Sequence, residues 1–153
     1  MCLLTNRFSV LGKNELLFLT GTFGLGAWLA GMVFVQRGSG GESLNKMVLE
    51  LKKKNVKILI FPEGTRRNTG QIHNFKKGAF HAAIHAQVPI IPFVVGSYKH
   101  IFDGEKKIYN EGKIFASVLP EISTKGLTSS DVEMLIEDTR SKMVDMYEKL
   151  SKY

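Results

Sequence analysis

Apolar positions recur along the chain at spacings that sort it into helix and strand. Over 43–54, Leu44, Met47, Val48 and Leu51 fall three and four residues apart, with Lys52, Lys53 and Lys54 in the last turn where cations complement the helix dipole. That spacing predicts an amphipathic helix. Val56 to Phe61 form a nearly continuous apolar run between Asn55 and Pro62, the pattern of a strand buried on both faces. A second helix is predicted over 77–86, and Val88 to Val95 make another apolar run. Helix, strand, helix, strand implies parallel strands joined by crossovers. Beyond Ser97, Asp103-Gly104 and Asn110-Glu111-Gly112 read as turns around "KIY" and "KIFASVL", a hairpin or a pair of sheet-edge strands. Thr128, Ser129 and Ser130 then precede Asp131 and Glu133 in capping-box spacing. Val132, Leu135, Ile136, Met143, Met146, Tyr147 and Leu150 trace one face of a long terminal helix. With no repeat, low-complexity tract or linker, the expectation is a single α/β domain over 1–153. It has a largely parallel central sheet flanked by helices, and a long C-terminal helix.

Composition agrees with a packed domain: 44% apolar and 23% charged residues over 153 positions suffice for a buried core and exclude a disordered chain. Charge adds more, because 21 Lys and Arg against 14 Asp and Glu leave a formal +7. Such a surface attracts phosphate groups, nucleic acid or acidic lipid headgroups, and composition does not choose among them. The single cysteine, Cys2, excludes an internal disulfide and a thiolate zinc cluster. Residues 16–35, "LLFLTGTFGLGAWLAGMVFV", carry no charge and reach the roughly 20 residues that cross a bilayer. Gly21, Gly24, Gly26 and Gly31 interrupt the run, however, so a buried helix followed by a buried strand explains it as well. A cleavable signal peptide is not indicated by "MCLLTNRFSVLGKNE", where polar residues separate two short apolar pieces.

Candidate chemistry gathers at "FPEGTRRNTGQIHNFKKGAF", residues 61–80. A strand ending in Pro62-Glu63-Gly64 delivers backbone to the carboxyl edge of a sheet, where open α/β folds bind ligands. Gly64 permits close approach or positive φ, Arg66 offers a fork that pairs bidentately with phosphate, and Glu63 can orient an arginine or accept from a hydroxyl. Lys76 and Lys77 stand where helix 77–86 begins, a place that disfavours cations unless an anion lies between them, and Gly78 would let one come near. On charge alone a solvated basic loop is the better account. The wording of the motif reverses that preference.

"FPEGTR" at 61–66, "FKKGAF" at 75–80 and "VPIIPF" at 88–93 follow "GKNELLF" at 12–18 and "GMVFVQR" at 31–37. In this order they resemble the glycerophospholipid acyltransferase family, closest to the lysophosphatidate (1-acylglycerol-3-phosphate) acyltransferases. The resemblance implies acyl transfer from acyl-coenzyme A, as co-substrate, to lysophosphatidate, giving phosphatidate, with no metal and no other cofactor. It implies that Arg37, Glu63, Gly64, Thr65 and Arg66 hold the acceptor phosphate. Lys76 and Lys77 join them on the physical argument above. Val88, Pro89, Ile90, Ile91, Pro92 and Phe93 would line the lipid-facing pocket. The chain departs from the family pattern at Gln36, where an acidic residue usually stands, and at Asn14, in place of a lysine.

The family reaction needs a base, supplied by the histidine of an Asn-His-x4-Asp block, and the 153 residues contain no such block. His73, His81, His85 and His100 all lack its context. His81 and His85, four apart on a predicted helix, share a face in the manner of a metal pair or a base with its partner. The first histidine has no following glutamate and no third ligand is evident, so surface or half-buried helix histidines are the simpler account. The expectation is therefore a lysophosphatidate acyltransferase domain without its N-terminal catalytic segment, inactive or weakly active alone. Partners would be lysophosphatidate, acyl-coenzyme A and a membrane surface, with peripheral attachment at the endoplasmic reticulum. Two other classes fit the charge: a non-catalytic module for anionic phospholipid, and a nucleic-acid-binding domain. The second is disfavoured because aromatics do not interleave with the cations as a stacking platform requires.

Overall fold

In the computed structural model the described residues are 8–13, 33–35, 45, 48, 49, 52, 57–65 and 69–152. Strands β1 (Phe8–Lys13), β2 (Val33–Val35) and β3 (Lys57–Leu59) form a three-stranded parallel sheet in the order β2-β1-β3. Leu11 to Lys13 pair with Val33 to Val35, and Phe8 to Val10 with Lys57 to Leu59. The strand at the centre of this sheet, "FSVLGK", has no counterpart in the periodicity reading, which took 12–18 only as a motif. Most of the apolar 16–35 segment lies outside the described residues, but its last three residues are β2. No described helix is long and apolar enough to cross a membrane.

Asn45, Val48, Leu49 and Lys52 carry helical backbone, as the 43–54 pattern predicts. Strand β3 is less covered than its run of apolar residues implies. Lys57 and Ile58 are half-buried and Leu59 is exposed, since β3 is an edge strand of the described sheet.

Helix α1 (Lys77–Ala86) occupies the predicted span and packs on two sides. Phe80 and Ile84 join Phe75, Val132, Leu135 and Ile136 in the larger core, while Ala82 and Ala86 admit Val48, Leu49, Ile58 and Val88 at close range. The small side chains explain how helical and strand backbone approach this face. Its C-terminus is closed by Gln87 in the left-handed region, φ 50°. The Gln87 amide donates to Ile84 O at 2.6 Å and Leu127 O at 3.1 Å, and its carbonyl accepts from Gly126 N at 2.7 Å. Lys52 Nζ adds a cation on the carbonyl of Ala86.

The 88–95 run does not extend the parallel sheet. Its strand β4 (Phe93–Val95) pairs antiparallel with a later strand, 116–118, and an Ile90–Ile122 bridge lengthens that ladder. The reason is local connectivity. The segment returns from 103–112 through a tight hairpin, β5 (Phe102–Asp103) and β6 (Ile108–Tyr109), and so delivers β7 (Ala116–Val118) antiparallel to β4. Asp103, buried, accepts from the amides of Glu105 and Lys106 and so closes the predicted turn.

A 3₁₀ turn (Ser129–Asp131) leads into helix α2 (Val132–Leu150). Val132, Leu135 and Ile136 are buried on the predicted stripe, and Met143, Met146, Tyr147 and Leu150 are half-buried. Thr139 is also buried, and satisfies its hydroxyl on Leu135 O at 2.7 Å.

Two outcomes follow for stability. Leu135→Ala removes a side chain from the α1–α2 core and is expected to cost about 2–5 kcal/mol in urea denaturation. Asp131 accepts from the backbone N–H and then the hydroxyl of Thr128, which holds its carboxyl below the usual range against a small opposing effect of desolvation. A depressed folded pKa contributes stability above the unfolded value that is lost as pH falls through the folded one. Asp131→Asn is therefore expected to lower Tm at neutral pH and to flatten the acid-side loss in thermal melts.

Candidate functional site

Where β3 ends, Phe61 to Gly64 form a β-turn closed by Gly64 N–H donating to Phe61 O at 3.1 Å. Proline at its second position and glycine at its fourth suit that geometry. Gly64 has φ +68°, which glycine adopts without steric cost. The chain then loops out and comes back. Lys76 N–H donates to Pro62 O at 2.8 Å, so the residue that caps α1 is fastened directly to the turn after β3.

That return lays the Lys76 side chain across Gly64. A Cβ at residue 64 would stand 2.9 Å from Lys76 Cδ and Cε and 3.1 Å from Nζ. Glu63 is held from the other side, with its Oε2 accepting from His73 N–H at 3.1 Å. His73 is further tied by a 2.6 Å contact between Nε2 and Thr69 Oγ1, and by Arg140 of α2, whose Nε donates to His73 O at 3.4 Å. Arg140 Nη2 also donates to Ile72 O at 3.1 Å. Glu63, Lys76 and Arg140, with Gln71, Ile72, His73 and Asn74, line an open cavity of about 320 Å³. The Glu63 carboxylate is engaged by an amide and the Arg140 guanidinium by two carbonyls, while Lys76 brings an ammonium to the same cavity, an arrangement able to receive an anion. No acidic residue of α1 itself occupies its first turn, and its N-cap makes no side-chain hydrogen bond.

The sequence-predicted residues divide accordingly. Glu63, Gly64 and Lys76 come together, and Thr65 is exposed beside them. Arg37 and Arg66 lie outside the described residues. Lys77 does not join the group: it is the first helical residue, whereas Lys76 before it still has extended backbone, and its ammonium pairs with Glu133 of α2. Val88 and Ile90 are half-buried and Pro92 is buried, whereas Pro89, Ile91 and Phe93 are exposed. The block is thus one rail of the antiparallel ladder, in which Ile90 exchanges both hydrogen bonds with Ile122 and Pro92 O accepts from Leu119 N. Ile91, Phe93 and Val95 alternate onto its open face beside Val118. His81 is half-buried and His85 exposed on α1, and the described residues contain no group of three or more His, Cys, Asp or Glu that could hold a metal.

His73 and Arg140 were not singled out from sequence. For Arg140 a signal exists. Val132, Ile136 and Arg140 fall at successive four-residue steps, so a cation sits where the buried row calls for an apolar side chain.

This chain belongs to the Acyltransferase family, whose model matches residues 1–96. Among curated relatives it is 39% identical to 1-acyl-sn-glycerol-3-phosphate acyltransferase alpha of Mus musculus, over 99% of this chain and 54% of that protein. It is 37% identical to the Homo sapiens protein of the same name, over 99% and 54%. The chain thus spans about half the length of these relatives. Its fold matches the crystal structure of the 1-acyl-sn-glycerophosphate acyltransferase PlsC from Thermotoga maritima with a TM-score of 0.67 at 22% identity, covering 95% of this chain and 66% of that one.

Gly64→Ala tests the turn. It forces a Cβ into a left-handed position, costing about 1–2 kcal/mol, and drives Lys76 off the turn. The expected outcome is lower stability in urea together with weaker binding of inorganic phosphate, measured by calorimetry.

Proposed function

We propose that the chain serves acyl transfer from acyl-coenzyme A to the free hydroxyl of 1-acyl-sn-glycerol-3-phosphate, producing phosphatidate. In this reading the Glu63–Gly64–Thr65 turn and Lys76, together with Arg37 and Arg66, grip the acceptor phosphate. The observation that carries it is the Lys76 ammonium stem lying on Gly64 at the mouth of an uncapped helix N-terminus. Membership of the family and the names of the relatives support the same substrate class. Lys77, paired with Glu133, is left out of the grip.

In the reaction the acceptor oxygen attacks the thioester carbon, a base takes its proton, and the coenzyme A thiolate departs. The phosphate grip fixes which hydroxyl is presented, which is the part of catalysis that positioning supplies. The base is assigned to no described residue. With no Asn-His-x4-Asp block among the 153 residues, the polypeptide is expected to bind the acceptor far better than it turns it over. General-base catalysis contributes about 10²–10⁴ in rate.

The acyl chains would lie on the open ladder face, where Ile91 is 47%, Phe93 49% and Val118 63% exposed. That face and the formal +7 charge also support peripheral attachment to an anionic membrane, which we place at the endoplasmic reticulum. Nucleic acid has no part in this reading.

The test is binding of lysophosphatidate and of lysophosphatidylcholine to the purified chain. Preference for the first is expected, and Lys76→Gln should weaken it about tenfold, the usual worth of a charge-assisted hydrogen bond. Equal affinity for both lipids, unmoved by Lys76→Gln, would leave only an unspecific lipid-binding module. Phosphatidate formation at the rate of a full-length relative would overturn the expectation of weak turnover.

A further inference from the structure

The phosphate grip contains an anion of its own, the Glu63 carboxylate, which would repel the ligand if free to turn toward it. In the structure it is not free. His73 N–H holds Oε2 at 3.1 Å, and the backbone presenting that amide is braced from α2, where Arg140 donates to Ile72 O at 3.1 Å and to His73 O at 3.4 Å. The bond partners are 67 and 68 residues apart in the chain, so this brace reaches the loop from another element, beside the local tie of His73 to Thr69. Arg140 is half-buried, lines the same cavity as Glu63 and Lys76, and occupies the position on the α2 row where an aliphatic side chain would pack. A planar guanidinium suits two adjacent carbonyls, because its donors are fixed in one plane.

We propose that Arg140 is a positioning residue of the acceptor site, acting through the 72–73 backbone to keep the Glu63 carboxylate turned onto the His73 amide and away from the bound phosphate. The inference rests on the reading of this cavity as a phosphate site. Loss of the guanidinium releases two carbonyls and the amide between them, and the unheld carboxylate then swings into the anion's field. The ligand affected is the phosphorylated acceptor, and the group responsible for the loss is Glu63, not Arg140.

A double-mutant cycle reads this directly. Lysophosphatidate affinity is measured for the wild-type chain, Arg140→Gln, Glu63→Gln and the double variant, with circular dichroism to establish folding. Arg140→Gln is expected to weaken binding about tenfold in the wild-type background and less than about twofold once residue 63 is glutamine, the non-additivity of groups acting as one unit. Arg140→Lys, which keeps the charge but not the planar pair of donors, should fall between. Equal losses in both backgrounds would overturn the proposal, since Arg140 would then act independently of Glu63. Where Arg140→Gln does not fold, the Arg140→Lys cycle takes its place with the same two outcomes.

Amide hydrogen exchange separates failure of this inference from failure of the functional reading. Should the wild-type chain bind no lysophosphatidate, the phosphate reading fails. Faster exchange at His73 in Arg140→Gln, with α2 core amides unchanged, would still show the brace, and unchanged exchange at His73 would refute it.

Discussion

The 2.8 Å hydrogen bond from the Lys76 amide to the carbonyl of Pro62 closes the loop that follows β3 and sets where α1 begins. A strand end and a helix start are thereby held at one point although more than a dozen residues run between them. The bond is inexpensive in itself, because an intramolecular hydrogen bond contributes only about 0.5–1.5 kcal/mol net. Its importance lies in what it aligns. It fixes the Lys76 side chain over a glycine that has no Cβ to displace it.

Holding α1 in that place is the task of the core. Phe80 and Ile84 pack on Val132, Leu135 and Ile136, while Ala82 and Ala86 meet the helical residues Val48 and Leu49 and the strand residue Ile58. Bulky residues face the partner helix and alanines face the crowded side, a division that lets one short helix bridge two parts of the described fold. Thr124 contributes from a loop: its buried hydroxyl donates to Val88 O at 2.8 Å, joining the exit from α1 to the segment that precedes α2.

Much of this organisation was legible in the residues themselves. Helices α1 and α2 declare themselves by spacing, the 103–104 turn by its Asp-Gly, and the 61–80 segment declares itself a candidate anion site by a proline, a glycine and clustered cations. What eluded the sequence is relational. The partner of β4 depends on the hairpin at 102–109, so an apolar run alone did not distinguish a parallel neighbour from an antiparallel one. Lys76 and Lys77 look equivalent in a string, yet the first, still extended, lies over Gly64 and the second, already helical, pairs with Glu133. The hydrogen bonds of Arg140 to Ile72 and His73 span 67 residues or more, beyond any local pattern. That Glu63, Gly64 and Thr65 stand side by side could be read because they share one turn.

Helix α2 is pinned at its far end as well. Gly96, which follows β4, lies so close to the last turn that an added Cβ would meet Leu150 O at 2.9 Å, and Ser97 N–H donates to Ser151 Oγ at 2.9 Å. From residue 150 to residue 140 is about 15 Å along a helix axis. Any side chain at position 96 would therefore press on the backbone of the last turn of the same helix that carries Arg140.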